Sequence, residues 1–257
     1  MNAPVTPLEI GLLAGAAFVA GVVDAIAGGG GLLTVPALLA VGLPPHLALG
    51  TNKGQSVFGS TSSLLRFHRA KLVSLRRGKV TFPLALAGSF FGAALVLWIH
   101  PATLRPIVLV LLVAVAIFLA VYRRPEGPPP DRHPLHTAAI AGGLAFVIGA
   151  YDGFFGPGTG TFLIAGFVGL LGLSLPEATA DAKMVNVASN LAAVTLFAVR
   201  GVVLWHIALP MAAAQALGSF LGAHLAVRGG AKLIRPVVTL VAVLLSIKVA
   251  VDLYGAG

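Results

Sequence analysis

Two glycine-rich interruptions in otherwise apolar sequence constrain this chain more than any other feature. The later one reads Asp152-Gly153-Phe154-Phe155-Gly156-Pro157-Gly158-Thr159-Gly160-Thr161, with apolar runs on both sides. An earlier counterpart stands at Asp24-Ala25-Ile26-Ala27-Gly28-Gly29-Gly30-Gly31-Leu32. In a helix interior glycine costs about 1 kcal/mol and proline about 3 kcal/mol relative to alanine, so both stretches should break a helix. Irregular backbone at membrane depth survives only where protein buries it or where it lines a cavity. The pair therefore predicts two unwound segments that together build a transport site.

That argument needs a membrane, and composition supplies one. Of 257 residues 58% are hydrophobic and 10% charged, and the mean hydropathy is +0.98. A soluble domain carries about 25% charged residues, so polar surface is too scarce here for a water-soluble globule. Long apolar runs without alternation exclude a membrane barrel. The expected class is an all-α polytopic membrane protein. The net charge of +9 could suggest nucleic acid. Most basic residues, however, lie in short segments between apolar runs, where they set topology and meet anionic lipid. No nucleic-acid partner is expected. With no cysteine, thiolate metal sites and disulfides are excluded. Ala25-Ile26-Ala27 resembles a signal-peptide cleavage site, but no basic residue precedes the apolar run, and the same arrangement recurs at Asp152. No signal peptide is expected.

The apolar segments fall near 8–27, 30–42, 50–66, 80–99 and 104–122, then near 137–151, 158–172, 183–199, 207–227 and 235–254. Some are shorter than the roughly 20 residues of a full crossing, which suits half-helices or re-entrant segments. Between the sets lies a Pro- and charge-rich stretch. The expected organisation is a first repeat over 1–122, a cytoplasmic linker over 123–136 and a second repeat over 137–257. The repeats are visible as copies. Gly88-Ser89-Phe90-Phe91-Gly92-Ala93 returns as Gly218-Ser219-Phe220-Leu221-Gly222-Ala223, a shift of 218 − 88 = 130. Arg105-Pro106 and Lys53 return as Arg235-Pro236 and Lys183 at the same shift, and Asp24 returns as Asp152 at 128. Such duplication is frequent in transporter folds. The Lys and Arg bias reverses between copies. Residues 66–79 hold six basic residues, whereas the equivalent stretch near 196–209 holds only Arg200. The region near 99–105 holds only Arg105, and its counterpart holds Arg228, Lys232 and Arg235. This favours inverted halves with both termini outside, although small counts leave a parallel arrangement open.

Five ionisable residues fall inside the apolar segments: Asp24, Lys53, Asp152, Asp181 and Lys183. A charge at mid-membrane costs about 2.5–3.5 kcal/mol on insertion scales, so such residues face a partner or a wet cavity. Lys248 and Asp252, near the last helix end, read as interfacial anchors. The five group into one cluster per half. The first joins the Gly28–Gly31 break to Thr51, Asn52, Lys53 and Gln55. The second joins Gly156–Thr161 to Asp181, Lys183, Asn186, Ser189 and Asn190. Broken helices leave backbone amides free, and their N-terminal ends are partly positive. Free amides with an ammonium make an anion site. Accordingly Lys53 and Lys183 would attract a small anion. Amides of Gly28, Gly29, Gly30, Gly156, Gly158 and Gly160 would bind its oxygens. Thr51, Asn52, Gln55, Thr159, Asn186 and Asn190 would give hydrogen bonds. Two lysines against Asp24, Asp152 and Asp181 sum to −1, which would repel an anion unless a carboxylate takes a proton. These three are therefore the candidate proton carriers.

Plainer readings compete. Gly88, Gly92, Gly218 and Gly222, at small-xxx-small spacing, suit close helix packing. Lys53 and Lys183 could cap helix starts at the interface, and Asp24 and Asp152 could cap the helices after each break. The seven histidines lack metal-ligand spacing, and Gly28-Gly29-Gly30 follows no strand, so neither metal nor nucleotide cofactor is expected. No nucleophile–histidine–carboxylate set stands out, and an enzyme is not expected. A membrane scaffold that does not transport remains the rival, and self-association into a homo-oligomer is open.

The Asp24–Gly31 stretch leading into Leu32-Leu33-Thr34-Val35-Pro36, the tetrad Gly50-Thr51-Asn52-Lys53, and Tyr151–Thr161 resemble the TauE/SafE family of membrane permeases, also called sulfite exporters. The resemblance covers nearly the whole chain. It implies passage of a small sulfur-containing anion, such as sulfite, sulfoacetate or another organosulfonate, across the bacterial inner membrane. Export is favoured by an inside-negative potential, worth about 2.3 kcal/mol per charge per 100 mV. Thiosulfate or a small carboxylate are alternative cargoes.

Overall fold

The structure, a computed structural model, describes residues 5–121 and 134–254. Its elements are α1 (Pro7–Ala27), α2 (Gly31–Ala40), α3 (Pro45–Arg69), α4 (Leu75–Trp98), α5 (Pro101–Val121), α6 (Pro134–Phe154), α7 (Thr159–Leu171), α8 (Leu175–Val199) and α9 (Trp205–Tyr254). Among the described residues there is no strand, and the fold is all-α. Most of the expected linker lies outside the described residues, and α6 already begins at Pro134.

Local chemistry sets the ends. Thr6 and Glu9 form a capping box at the start of α1, and Ser174 and Glu177 form one at α8. Each satisfies amides that a first turn leaves without intrahelical acceptors. Gly28 (φ 83°) ends α1 and Gly172 (φ 67°) ends α7, both in the left-handed region that glycine enters without a Cβ penalty. α1, α4, α6 and α8 each contain a stretch long and apolar enough to cross a membrane. α2 and α7 are shorter apolar helices, as the half-helix expectation requires. The outer surface carries large apolar side chains, with Trp98 84%, Leu217 67% and Phe91 65% exposed. In water such a surface would be a liability; against lipid it is the expected covering.

Three expectations need correction. α3 and α8 start at Pro45 and Leu175, well before the segment starts read at 50 and 183. Polar residues diluted the apolar signal there, but a Pro in the first turn of each helix and, at α8, a capping box fix the real starts. Lys53 and Lys183 therefore sit two turns inside their helices, and neither caps a helix start. The segments near 207–227 and 235–254 are one continuous helix, with no break between Arg228 and Arg235. The first half breaks at Ile99–His100 because Pro101 opens α5. At the same shift the second half has Ala231, which lets the helix run on.

Packing exchanges the halves. α1 and α3 lie along α9, while α6 and α8 lie along α4. The four motif glycines are where the backbones meet. A Cβ on Gly218 or Gly222 would overlap the carbonyl of Phe18 or Val22 on α1. A Cβ on Gly88 or Gly92 would overlap that of Phe146 or Ala150 on α6. Lipid is as apolar as a leucine core, so this close fit, rather than burial, drives helix association. Phe67, Phe155, Phe167 and Phe197 fill the spaces between helices and are almost fully buried.

Candidate functional site

The site starts with the two breaks. Gly28 leaves α1 with its N–H donating to the Asp24 carbonyl at 2.9 Å. Gly156 (φ 96°) and Gly158 (φ 84°) carry the chain from α6 to α7. The breaks press together, because a Cβ on Gly28 would overlap the backbone of Gly160 and Thr161. Thr161 Oγ1 donates to the Ala27 carbonyl at 2.7 Å, and Tyr151 OH donates to the Pro157 carbonyl at 2.5 Å. Irregular backbone is thus held by protein on both sides, which is the condition for its survival at this depth.

A cavity of about 30 Å³ lies against the breaks. Gly28 and Gly31 border it from the first break, and Gly156, Thr159 and Gly160 from the second. α3 contributes Asn52, Lys53 and Ser56, and α8 contributes Asn186 and Asn190. Asp24, Asp152 and, from α9, Gln215 complete the wall.

The charges pair across the halves. Lys53 Nζ lies 2.8 Å from Asp152 Oδ1, and Lys183 Nζ lies 2.8 Å from Asp24 Oδ2. One cluster per half is therefore wrong: each lysine meets the other half's aspartate, because α3 and α8 face each other, and Asp24, Lys53 and Asp152 border one shared cavity. Lys53 also donates to Asn190 Oδ1 at 3.0 Å, and Lys183 to the Asp24 carbonyl. Asp152 accepts from Ser189 Oγ and lies 2.8 Å from Thr159 Oγ1. Asp24 Oδ1 is reached by the Gly30 amide at 3.4 Å. Asn52 Oδ1 accepts from Thr34 Oγ1 at 2.6 Å and from Gln55 Nε2 at 2.9 Å. Leaving one partner of such a buried pair alone costs about 3–5 kcal/mol.

Several expected residues stand elsewhere. Asp181 faces α4, where Oδ2 takes an ion pair from Arg77 Nε at 2.5 Å and Oδ1 accepts from the Ser74 amide at 2.8 Å. It is two residues from Lys183, which turns it about 200° around the helix, away from the cavity. The same rotation removes Thr51 and Gln55 from the lining. Thr51 Oγ1 instead accepts from the Leu204 amide at 3.1 Å. Gly29, Gly30 and Gly158 shape the breaks without bordering the cavity; a Cβ on Gly158 would meet Val115. Lys183 does not border the cavity either: it is fully buried behind Asp24. With Asp181 paired to Arg77, the two cross-half pairs sum to zero rather than −1. Gly31, the last residue of the first break, borders the cavity, and so does Gln215, which escaped the sequence reading. For Gln215 a signal existed: it is the lone amide side chain in the apolar run 207–227. Thr34 escaped because it acts through Asn52 rather than on the cavity, and Ser189 likewise acts through Asp152.

Among the described residues no group of three or more His, Cys, Asp or Glu could hold a metal. No solved structure matches the chain. It is 41% identical to a probable membrane transporter protein, YfcA, of Escherichia coli (strain K12), over 98% of this chain and 93% of that protein. It is 40% identical to a probable membrane transporter protein of Sinorhizobium over 92% of this chain and 90% of that one. A probable membrane transporter protein of Haemophilus influenzae is also 40% identical, over 91% and 92%. Residues 13–249 match the family described as sulfite exporter TauE/SafE. With its apolar helices, that match makes the chain a multi-pass membrane protein of the bacterial inner membrane, a transporter and not an enzyme. It belongs to the TauE/SafE family.

Proposed function

We propose that the protein is a permease for a small sulfur-containing anion, which passes through the cavity between the two breaks in company with a proton. The observation that carries this reading is the pair of lysines, each held by the opposite half's aspartate, with Lys53 and both aspartates bordering one cavity and Lys183 buried directly behind Asp24. The charges beside the cavity sum to zero, each carboxylate resting on its lysine. For an anion to enter, a carboxylate must leave its lysine. A proton on that carboxylate removes its charge, and the anion takes its place beside the ammonium. The site then stays neutral, with a protonated acid and an anion–ammonium pair.

The halves in this reading are inverted. In support, Asn190 meets both Lys53 and Ser60 across α3 and α8. Phe67 shares a buried cluster with Leu175 and Ala178, and its counterpart Phe197 shares one with Leu49. One helix's start therefore meets the other's end, as inversion requires of counterparts. Alternating access would then come from one half rocking against the other around a fixed site.

A monoanion with one proton carries no net charge, so concentration gradients set its direction, and a cell loaded with the anion exports it. A dianion with one proton leaves with help from the potential, about 2.3 kcal/mol per charge per 100 mV. The test is flux of labelled sulfite, thiosulfate and methanesulfonate in proteoliposomes with a trapped pH dye. Lys53→Gln combined with Lys183→Gln should abolish flux, and transported anion should change internal pH. Undiminished flux in the double variant would overturn the assignment, as a scaffold without transport predicts no flux in either protein.

A further inference from the structure

We propose that the two ion pairs do different work: Lys183–Asp24 opens to receive the anion, and Lys53–Asp152 stays closed as a fixed brace. This deepens the permease reading and rests on it. The two pairs occupy equivalent places in the halves, yet their surroundings differ. Both oxygens of Asp152 are engaged, Oδ1 by Lys53 and the Thr159 hydroxyl, Oδ2 by Ser189 Oγ. Asp24 has one strong contact on its carboxylate, Lys183 at Oδ2, and only the Gly30 amide at 3.4 Å on the other oxygen. That distance is beyond the usual 2.7–3.2 Å range.

The difference is written in the chain. At the shift that relates Asp24 to Asp152, Thr159 corresponds to Gly31. At the shift that relates Lys53 to Lys183, Ser189 corresponds to Gly59. The first half therefore lacks both hydroxyls, and Pro157 beside Gly31 and Gln215 beside Gly59 take up the space without replacing those donors to the carboxylate. Exposure agrees, at 14% for the Asp24 side chain against 5% for Asp152.

The lysines differ in a matching way. Lys183 Nζ also donates to the Asp24 backbone carbonyl. When the Asp24 carboxylate takes a proton and swings away, that bond keeps the ammonium in place, ready for an oxyanion. Lys53 is tied to Asn190 and Asp152 together, so opening that pair would break two lysine contacts, and moving the carboxylate would break those from Ser189 and Thr159 as well. Lys183 itself is buried behind Asp24 and is uncovered to the cavity only when that carboxylate moves. Besides Asp24, the titratable groups on the cavity are Lys53 from α3 and Asp152 from α6; α2, α7 and α9 present it only Gly31, Thr159, Gly160 and Gln215.

The test reads the carboxylates directly in purified parent protein and in Asp24→Asn, Asp152→Asn and Ser189→Ala variants. Infrared difference spectra on acidification report the C=O stretch of a protonated acid. The acid band is expected in the parent, lost in Asp24→Asn and kept in Asp152→Asn. If Asp152→Asn fails to fold, Ser189→Ala serves: freeing Asp152 Oδ2 should add a second band. A band that survives Asp24→Asn and vanishes in Asp152→Asn, or a Ser189→Ala spectrum identical to the parent, overturns the proposal. Sulfite added at fixed pH supplies the second arm. It should enhance the band in the parent and not in Lys183→Gln, with Lys183→Arg restoring part of it. A parent that shows the Asp24 band but no response to sulfite, thiosulfate or methanesulfonate contradicts the permease reading while the asymmetry of the pairs stands.

Discussion

Gly28 and Gly42 form a natural controlled pair for testing how the breaks are held. Both adopt nearly the same left-handed backbone, φ 83° and φ 85°. They differ in what surrounds them. A Cβ on Gly28 would overlap the backbone of Gly160 and Thr161, whereas one on Gly42 would meet nothing within 4 Å. An alanine in this region costs about 1–2 kcal/mol at either site. The gain from a stiffer unfolded chain is also common to both and cancels. Gly28→Ala adds overpacking against backbone that has no rotamer to yield, about 1–3 kcal/mol. For a chain of this size each kcal/mol shifts Tm by about 2–4 °C. Gly42→Ala should then lower Tm by roughly 2–8 °C, and Gly28→Ala by roughly 2–12 °C more. Thermal unfolding of the purified protein measures both, and flux should survive only in Gly42→Ala. Equal losses at the two positions would show that the breaks do not bear on each other, and the cavity would lose its scaffold.

Other outcomes follow from single contacts. Gly92→Val and Gly222→Val push side chains into the α6 and α1 carbonyls and should each cost about 1–3 kcal/mol or prevent folding, readable as yield and Tm. The effect should be similar in the two, since the contacts are equivalent. Asp181→Asn removes the charge from a bond to Arg77, worth about 1.5–3 kcal/mol, so Tm should fall while the affinity for any transported anion stays unchanged. A changed affinity would place Asp181 in the cavity after all. Thr34→Val leaves Asn52 Oδ1 with Gln55 alone and should cost about 1 kcal/mol in stability and relax selectivity among anions.

The breaks were legible because glycine and proline act locally. Nothing beyond the chain itself was needed to see Gly28–Gly31 and Gly156–Gly160. Lys53, Lys183, Asp24 and Asp152 were legible as charges too costly for lipid. What they pair with was not, because that depends on how α3 and α8 meet. Asp181, Thr51 and Gln55 were misassigned for one reason: residues two apart on a helix point to opposite sides, so nearness in sequence misleads. The run-on of α9 turned on the absence of a proline equivalent to Pro101, a signal that only a comparison of the two copies brings out.

The exchange of helices between halves has a consequence for any shorter ancestor. α1 has its groove on α9 and α6 has its groove on α4, so a lone half would offer glycine faces with nothing to seat them. Such a half could have been stable only beside a twin, each lending its fourth helix to the other's first. Severing the chain between Val121 and Pro134 and making both pieces together should therefore reconstitute the protein, whereas either piece made alone should be degraded.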